Sequence, residues 1–137
     1  MKNVILIKHP KNWGLEEKII RKLANRALVN SGYGENTELS IYFIGRKKAK
    51  ELNMKYRKKD YIPQVLGFPM SKKADVDGYI RLGDVVICTQ KLKYEIKYLD
   101  NKERLQSVPY NKNISYDKKM KEILSEWIIH GVENLLK

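Results

Sequence analysis

The alternation of apolar and polar positions divides both ends of the chain into short strands and amphipathic helices. Residues 4–8 form a short β run with Ile5 and Ile7 on one side, and residues 38–44 alternate in the same way. Two longer sets of apolar residues recur at helical spacing. They are Leu15, Ile19, Ile20, Leu23, Ala24, Ala27 and Leu28, and then Met120, Ile123, Leu124, Trp127, Ile128, Leu135 and Leu136. These sets predict a helix that ends in the turn-forming residues 30–34 and a last helix that runs to the end of the chain.

The middle of the chain adds shorter elements. The pattern predicts a helix from Lys47 to about Tyr56 that buries Ala49 and Leu52. A brief strand follows at residues 64–68, then a turn at residues 75–78 and the longest strand at residues 79–89.

The weakest pattern lies between residues 91 and 115. Leu92, Tyr94, Ile96 and Tyr98 are compatible with a helix or with extended chain, residues 111–113 resemble a loop, and a mobile flap is one interpretation. The elements together predict the α+β class, with a small mixed sheet of about four strands packed against helices. We expect one domain over residues 1–137, because this length suits one hydrophobic core.

The net charge is the feature of the composition that says most about binding partners. The chain carries 28 Lys and Arg against 16 Asp and Glu, a net charge of +12. Such an excess favours a polyanion as partner, either nucleic acid or an anionic membrane, although a generally lysine-rich composition is the alternative. The basic residues cluster at residues 46–50 and 55–59, which suits contacts with phosphates. No long amphipathic helix with basic flanks supports membrane binding, so the charge favours RNA.

The remaining composition indicates the compartment. Cys88 is the single cysteine, which excludes an internal disulfide and suits a reducing environment. The first residues lack an apolar segment of signal-peptide length, and no apolar run is long enough to cross a bilayer. We therefore expect a cytoplasmic protein. No phosphate-binding loop or dinucleotide fingerprint is present, so we expect no nucleotide cofactor.

Three segments in the second half have more specific content. The first is residues 51–60, Glu-Leu-Asn-Met-Lys-Tyr-Arg-Lys-Lys-Asp, which runs on to Val-Leu-Gly-Phe-Pro at residues 65–69. The second is Leu-Gly-Asp-Val-Val-Ile-Cys at residues 82–88, and the third is Trp-Ile-Ile-His-Gly-Val-Glu-Asn-Leu-Leu at residues 127–136. Gly83 and Asp84 in the second segment suggest a structural role, with Asp84 anchoring a loop or a buried basic group.

The order and spacing of these segments resemble the YbeY family, metal-dependent endoribonucleases of ribosomal RNA maturation. That family shows Leu-Asn-x-x-Tyr-Arg-x-Lys-Asp, then Val-Leu-Ser-Phe-Pro, then Leu-Gly-Asp-Ile-Val-Ile, and last a helix with the spacing His-x3-His-x5-His. The resemblance covers about residues 38–137 and implies a YbeY-like fold. It also implies rRNA and the ribosome as partners, and we expect a monomer.

The resemblance implies a metal site, with zinc as the metal, on the last helix. Its first ligand matches His130, its second position is Asn134, and its third would fall at position 140, beyond Lys137. An amide oxygen is a weaker zinc ligand than an imidazole, and Glu133 could offer a carboxylate instead. Without the resemblance, His130 on an apolar helix would be read as a packed core histidine.

The resemblance also implies a role for Arg57 in RNA cleavage near the metal. A guanidinium can hold a phosphate through two hydrogen bonds or stabilise the charge of the transition state. The neighbouring Lys55, Lys58 and Lys59 are expected to bind the RNA backbone together with Arg57. Read from the residues alone, Arg57 could equally be one more solvated charge in a basic run.

Three hypotheses about function stay open. One is a metal-dependent endoribonuclease specific for single-stranded RNA, with Arg57 and His130 as its main residues. Another is a catalytically inactive YbeY-like protein that binds RNA or the ribosome, which Asn134 and the end of the chain at Lys137 favour. The third is that the sequence is incomplete, and that further residues supply the last ligand.

Overall fold

Four strands form a mixed sheet in the part of the chain that the structure, a computed structural model, describes: residues 2–11, 14–104 and 112–137. The strands are β1 (Val4–Lys8), β2 (Thr37–Ile44), β3 (Val65–Pro69) and β4 (Ile80–Cys88). Their order in the sheet is β1-β2-β4-β3. β2 pairs in parallel with β1 and β4, whereas β3 is an edge strand antiparallel to β4.

The described helices are α1 (Glu17–Asn30), α2 (Arg46–Arg57), α3 (Thr89–Arg104) and α4 (Lys112–Leu136). One face of the sheet packs against α1, α3 and α4 and forms the hydrophobic core. Residues of β2 alternate between the two faces, because successive side chains of a strand point to opposite sides. Leu39, Ile41 and Phe43 are buried in the core, whereas Tyr42 and Ile44 line a depression on the opposite face beside α2.

The structure confirms the predicted α+β class and the mixed sheet. The weak segment after β4 is the helix α3, in which Leu92 and Ile96 are fully buried and Tyr94 and Tyr98 are exposed. The loop expected at residues 111–113 is wrong for Lys112 and Asn113, where α4 already begins. Residues 105–111, part of the expected flap, lie outside the described residues. Within the described ranges, no helix is both long and apolar enough to cross a membrane.

Helix α4 packs closely against β3 and β4, and glycines stand at the closest points. A Cβ on Gly131 of α4 would lie 2.5 Å from Cγ1 of Val85, well inside van der Waals contact. A Cβ on Gly67 of β3 would lie 2.9 Å from Cβ of Asn134 and 3.3 Å from the carbonyl oxygen of Gly131. The helix can therefore approach these two strands only because these positions lack a side chain.

Gly83 in β4 supports the same contact from the strand side. Its φ of 143° lies in a region that favours glycine, and a Cβ there would overlap the carbonyl oxygen of Phe68. The same Cβ would lie 3.0 Å from Cδ2 of Leu135 on α4. The structural role that the sequence suggested for Gly83 is thus confirmed.

We predict that Gly83→Ala lowers the free energy of unfolding by about 2–4 kcal/mol, because it combines backbone strain with a steric overlap. Gly34→Ala is the matched control. Its new methyl group would meet Cγ2 of Val29 at an ordinary 3.7 Å, so its free energy of unfolding should change by less than ~1 kcal/mol. Urea unfolding followed by circular dichroism measures both. Equal midpoints for the two variants would contradict the prediction.

Candidate functional site

An open groove of about 590 Å³ runs between the C-terminal end of α2, the edge strand β3 and α4. We call it the edge groove. It combines residues from the end of α2, from the segment that leads into β3, from α3 and from α4. They are Arg57, Tyr61, Ile62, Pro63, Gln64 and Val65, followed by Lys91, and then Glu126, Trp127 and His130. Arg57 and His130, both singled out in the sequence, therefore line the same groove.

Helix α4 contributes three of these side chains from one face. Glu126 and His130 are four residues apart, which places them one above the other on the helix surface. Both are exposed, whereas Trp127 between them is 7% exposed and packs into the core. The reading of His130 as a packed core histidine is therefore wrong, because its side chain is exposed beside the groove.

The end of α2 places Arg57 at the other side of the edge groove. The helix ends at Arg57, and Lys58 takes the left-handed conformation with φ 59°. The side chain of Asn53, fully buried, donates a hydrogen bond from Nδ2 to the carbonyl oxygen of Tyr61 at 3.0 Å. The backbone carbonyl of Asn53 accepts a further hydrogen bond from the N–H of Lys59 at 3.4 Å. Asn53 thus holds the loop that forms one wall of the groove.

Sequence reasoning missed three residues of this site. Asn53 was noted only as part of a motif, although its spacing of four from the buried Ala49 places it on the inner face of α2. Glu126 had a signal in its spacing of four from His130. Lys91, in the first turn of α3, had no signal in the sequence, because its segment lacked a clear pattern.

The three lysines expected to bind RNA with Arg57 do not line the edge groove. Lys55, Lys58 and Lys59 are exposed, and the amine of Lys55 lies 5.2 Å from the ring centroid of Tyr56. Their role in RNA binding stays a prediction. In the groove itself the cationic groups are Arg57 and Lys91, set against the carboxylate of Glu126.

The expected metal ligands His130, Glu133 and Asn134 lie within about one turn of α4, and their role as ligands stays a prediction. Asn134 is partly buried where β3 approaches α4 at Gly67, and Glu133 is exposed. Neither lines the edge groove beside His130. The described ranges contain no group of three His, Cys, Asp or Glu side chains placed to hold a metal ion.

Asp84 lies on the sheet face opposite the core, and its expected role as an anchor for a basic group is wrong. No described side chain forms an ion pair with it. Instead Ser40, its register partner on β2, donates a hydrogen bond to the carboxylate. Burial raises the pKa of Asp84 above its usual value, and the hydrogen bond from Ser40 opposes that shift.

Comparison with known proteins gives concordant matches. The family model for endoribonuclease YbeY matches residues 10–135. The endoribonuclease YbeY of Aquifex aeolicus is 34% identical over 135 residues, 98% of this chain and 76% of the relative. That of Alkaliphilus metalliredigens is 33% identical over 69% of this chain and 65% of the relative. That of Mesoplasma florum is 29% identical over 81% of this chain and 60% of the relative.

The solution structure of TM1509 from Thermotoga maritima aligns with 95% of each chain, at 18% identity and a TM-score of 0.40. The family model covers most of the chain, and the relative from Aquifex aeolicus is matched over 76% of its own length. This chain therefore belongs to the endoribonuclease YbeY family.

Proposed function

We propose that this chain is an endoribonuclease that cleaves single-stranded RNA during ribosomal RNA maturation, and that the edge groove is its site. The observation that carries the proposal is that Arg57 and His130, distant in sequence, line one open groove. The family membership and the net charge of +12 support an RNA substrate. The ribosome as partner and a cytoplasmic location belong to the same proposal.

Arg57 and Lys91 are the groups that would hold the RNA backbone. A guanidinium offers paired N–H donors that match two oxygens of one phosphate, and a lysine ammonium adds a compact positive charge. Both line the edge groove, so a phosphodiester seated there would lie between them. In the transition state Arg57 would stabilise the negative charge that develops on the phosphorus oxygens.

His130 is the group that would transfer a proton. The hydroxyl that attacks phosphorus must lose a proton as its oxygen–phosphorus bond forms, and the leaving oxygen must gain one as its bond breaks. Imidazole can do either near neutral pH. Glu126 lies one helical turn before His130 and lines the same groove, so it would face the same bound substrate.

The described side chains do not fit the three-ligand zinc site that the family resemblance implies. A hydrolytic zinc site needs three protein ligands and one open position. Here His130 lines the edge groove, whereas Asn134 packs at Gly67 outside the groove and offers at best a weak amide oxygen. The proposed proton transfer and phosphate contacts therefore use the groove's own side chains.

A second candidate function is RNA or ribosome binding without cleavage. The replacement of the second family histidine by Asn134, together with its position outside the groove, favours it. Arg57 and Lys91 would then still hold a phosphate backbone, and the groove would serve recognition alone.

We predict that protein purified without an affinity tag or chelator holds much less than one zinc per chain. The reason is the lack of a third ligand beside His130 among the described side chains. Elemental mass spectrometry measures the content, and His130→Ala should leave it unchanged. About one zinc per chain, lost in His130→Ala, would show that another ligand set completes the site.

We predict that His130→Ala and Arg57→Ala each slow cleavage of a single-stranded RNA by roughly a hundredfold or more, because they remove proton transfer and charge stabilisation. Arg57→Ala should also weaken RNA binding, whereas His130→Ala should leave binding nearly unchanged. Cleavage is followed on gels, and binding by fluorescence anisotropy.

Arg26→Ala is the matched control for these variants, since Arg26 is an exposed residue of α1 that does not line the groove. It should cleave RNA at the wild-type rate. Cleavage that persists in His130→Ala and Arg57→Ala would contradict the proposed site. Salt-sensitive RNA binding without any cleavage by the pure wild-type protein would instead establish the second candidate.

A further inference from the structure

A second depression, of about 380 Å³, lies on the sheet face opposite the core, between α2 and strands β2, β4 and β3. We call it the outer pocket. It is formed mainly by Tyr42, Leu52, Tyr56, Phe68, Asp84 and Val86. No step of the proposed cleavage uses these side chains.

Aromatic rings form much of the wall of the outer pocket. The rings of Tyr56 and Phe68 meet edge to face, with centroids 5.2 Å apart and planes at 73°. Tyr42 adds a third ring from β2. Tyr56 is 56% exposed, so much of its surface is open to a ligand. Such a wall suits a flat, unsaturated ligand, because proteins recognise unpaired bases by stacking them on aromatic side chains.

Asp84 is the single carboxylate among the residues that line the outer pocket. A carboxylate has about four sites at which it accepts hydrogen bonds, and the hydroxyl of Ser40 uses one of them. No described basic side chain pairs with Asp84. A partly buried carboxylate without a basic partner is costly unless donors reach it. The pocket therefore favours a ligand that brings N–H donors.

We propose that the outer pocket binds a guanine base of the RNA strand, with the carboxylate of Asp84 accepting hydrogen bonds from the N1–H and the 2-amino group of that base. Guanine presents these two donors side by side on its Watson–Crick edge, and they match the two oxygens of one carboxylate. Adenine and cytosine set one amino donor beside a ring acceptor, and uracil has one N–H between two carbonyls. Those acceptors repel a carboxylate. The inference depends on the proposed action on RNA.

The position of the outer pocket next to the edge groove supports this assignment. Tyr56 lines the pocket and Arg57 lines the groove, and consecutive Cα atoms lie about 3.8 Å apart. One RNA strand that crosses the end of α2 could therefore place a base in the pocket and a phosphate at Arg57. Lys48, exposed at the pocket, adds a cation that attracts the backbone.

The test is fluorescence anisotropy with short single-stranded RNAs that differ at one central base. We expect the wild type to bind the guanine RNA about tenfold or more tightly than the adenine or uracil RNA, with inosine, which lacks the 2-amino group, in between. Asp84→Asn should remove this preference, because an amide offers one acceptor and one donor. Tyr56→Leu should weaken binding of every RNA, because it removes a stacking surface.

Asp60→Asn is the matched control, since it removes the same charge from an exposed residue near α2 that lies outside the outer pocket. It should keep the guanine preference, and thermal unfolding should show that Asp84→Asn is folded. RNA binding without base preference in the wild type would overturn the inference and leave the proposed function standing. A preference that survives Asp84→Asn would also overturn it. Failure to bind any RNA at low salt would instead overturn the proposed function.

Discussion

The close packing of α4 on β3 and β4 is the contact on which the candidate site depends. Gly67, Gly83 and Gly131 stand where these elements meet, and a methyl group at any of the three would collide with a neighbour. Since α4 carries one wall of the edge groove and β3 another, this contact sets the distance between the walls. A larger residue at Gly131 would push His130 away from the loop that follows α2.

The same contact involves Asn134, the position that the family resemblance pairs with His130 as a metal ligand. Asn134 sits one turn after His130, and its Cβ lies where a side chain on Gly67 would have to be. The helix can pack on the strand there because Gly67 has no side chain. His130, one turn earlier, is exposed beside the groove. The two positions that the family spacing pairs as ligands therefore have different environments in this fold.

The C-terminal end of α2 connects the two candidate binding surfaces. Its buried Asn53 holds the following loop through the carbonyl of Tyr61. Of its last two residues, Tyr56 lines the outer pocket and Arg57 lines the edge groove. A single helix end thus places an aromatic ring at the outer pocket, where we propose that a base binds, and a guanidinium at the edge groove, where we propose that a phosphate binds.

The local pattern of the sequence determined the strands and most helices, because burial on one face imposes a period of two on a strand and 3.6 on a helix. Motif resemblance indicated Arg57 and His130. Tertiary packing alone decided that Lys91 and Glu126 join them, because α3 and α4 reach the groove only after both pack on the sheet. It also decided that Asp84 lines one pocket together with three aromatic residues. Which residues of different elements meet depends on sheet order and on the approach of the helices, and neither leaves a periodic signal in the sequence.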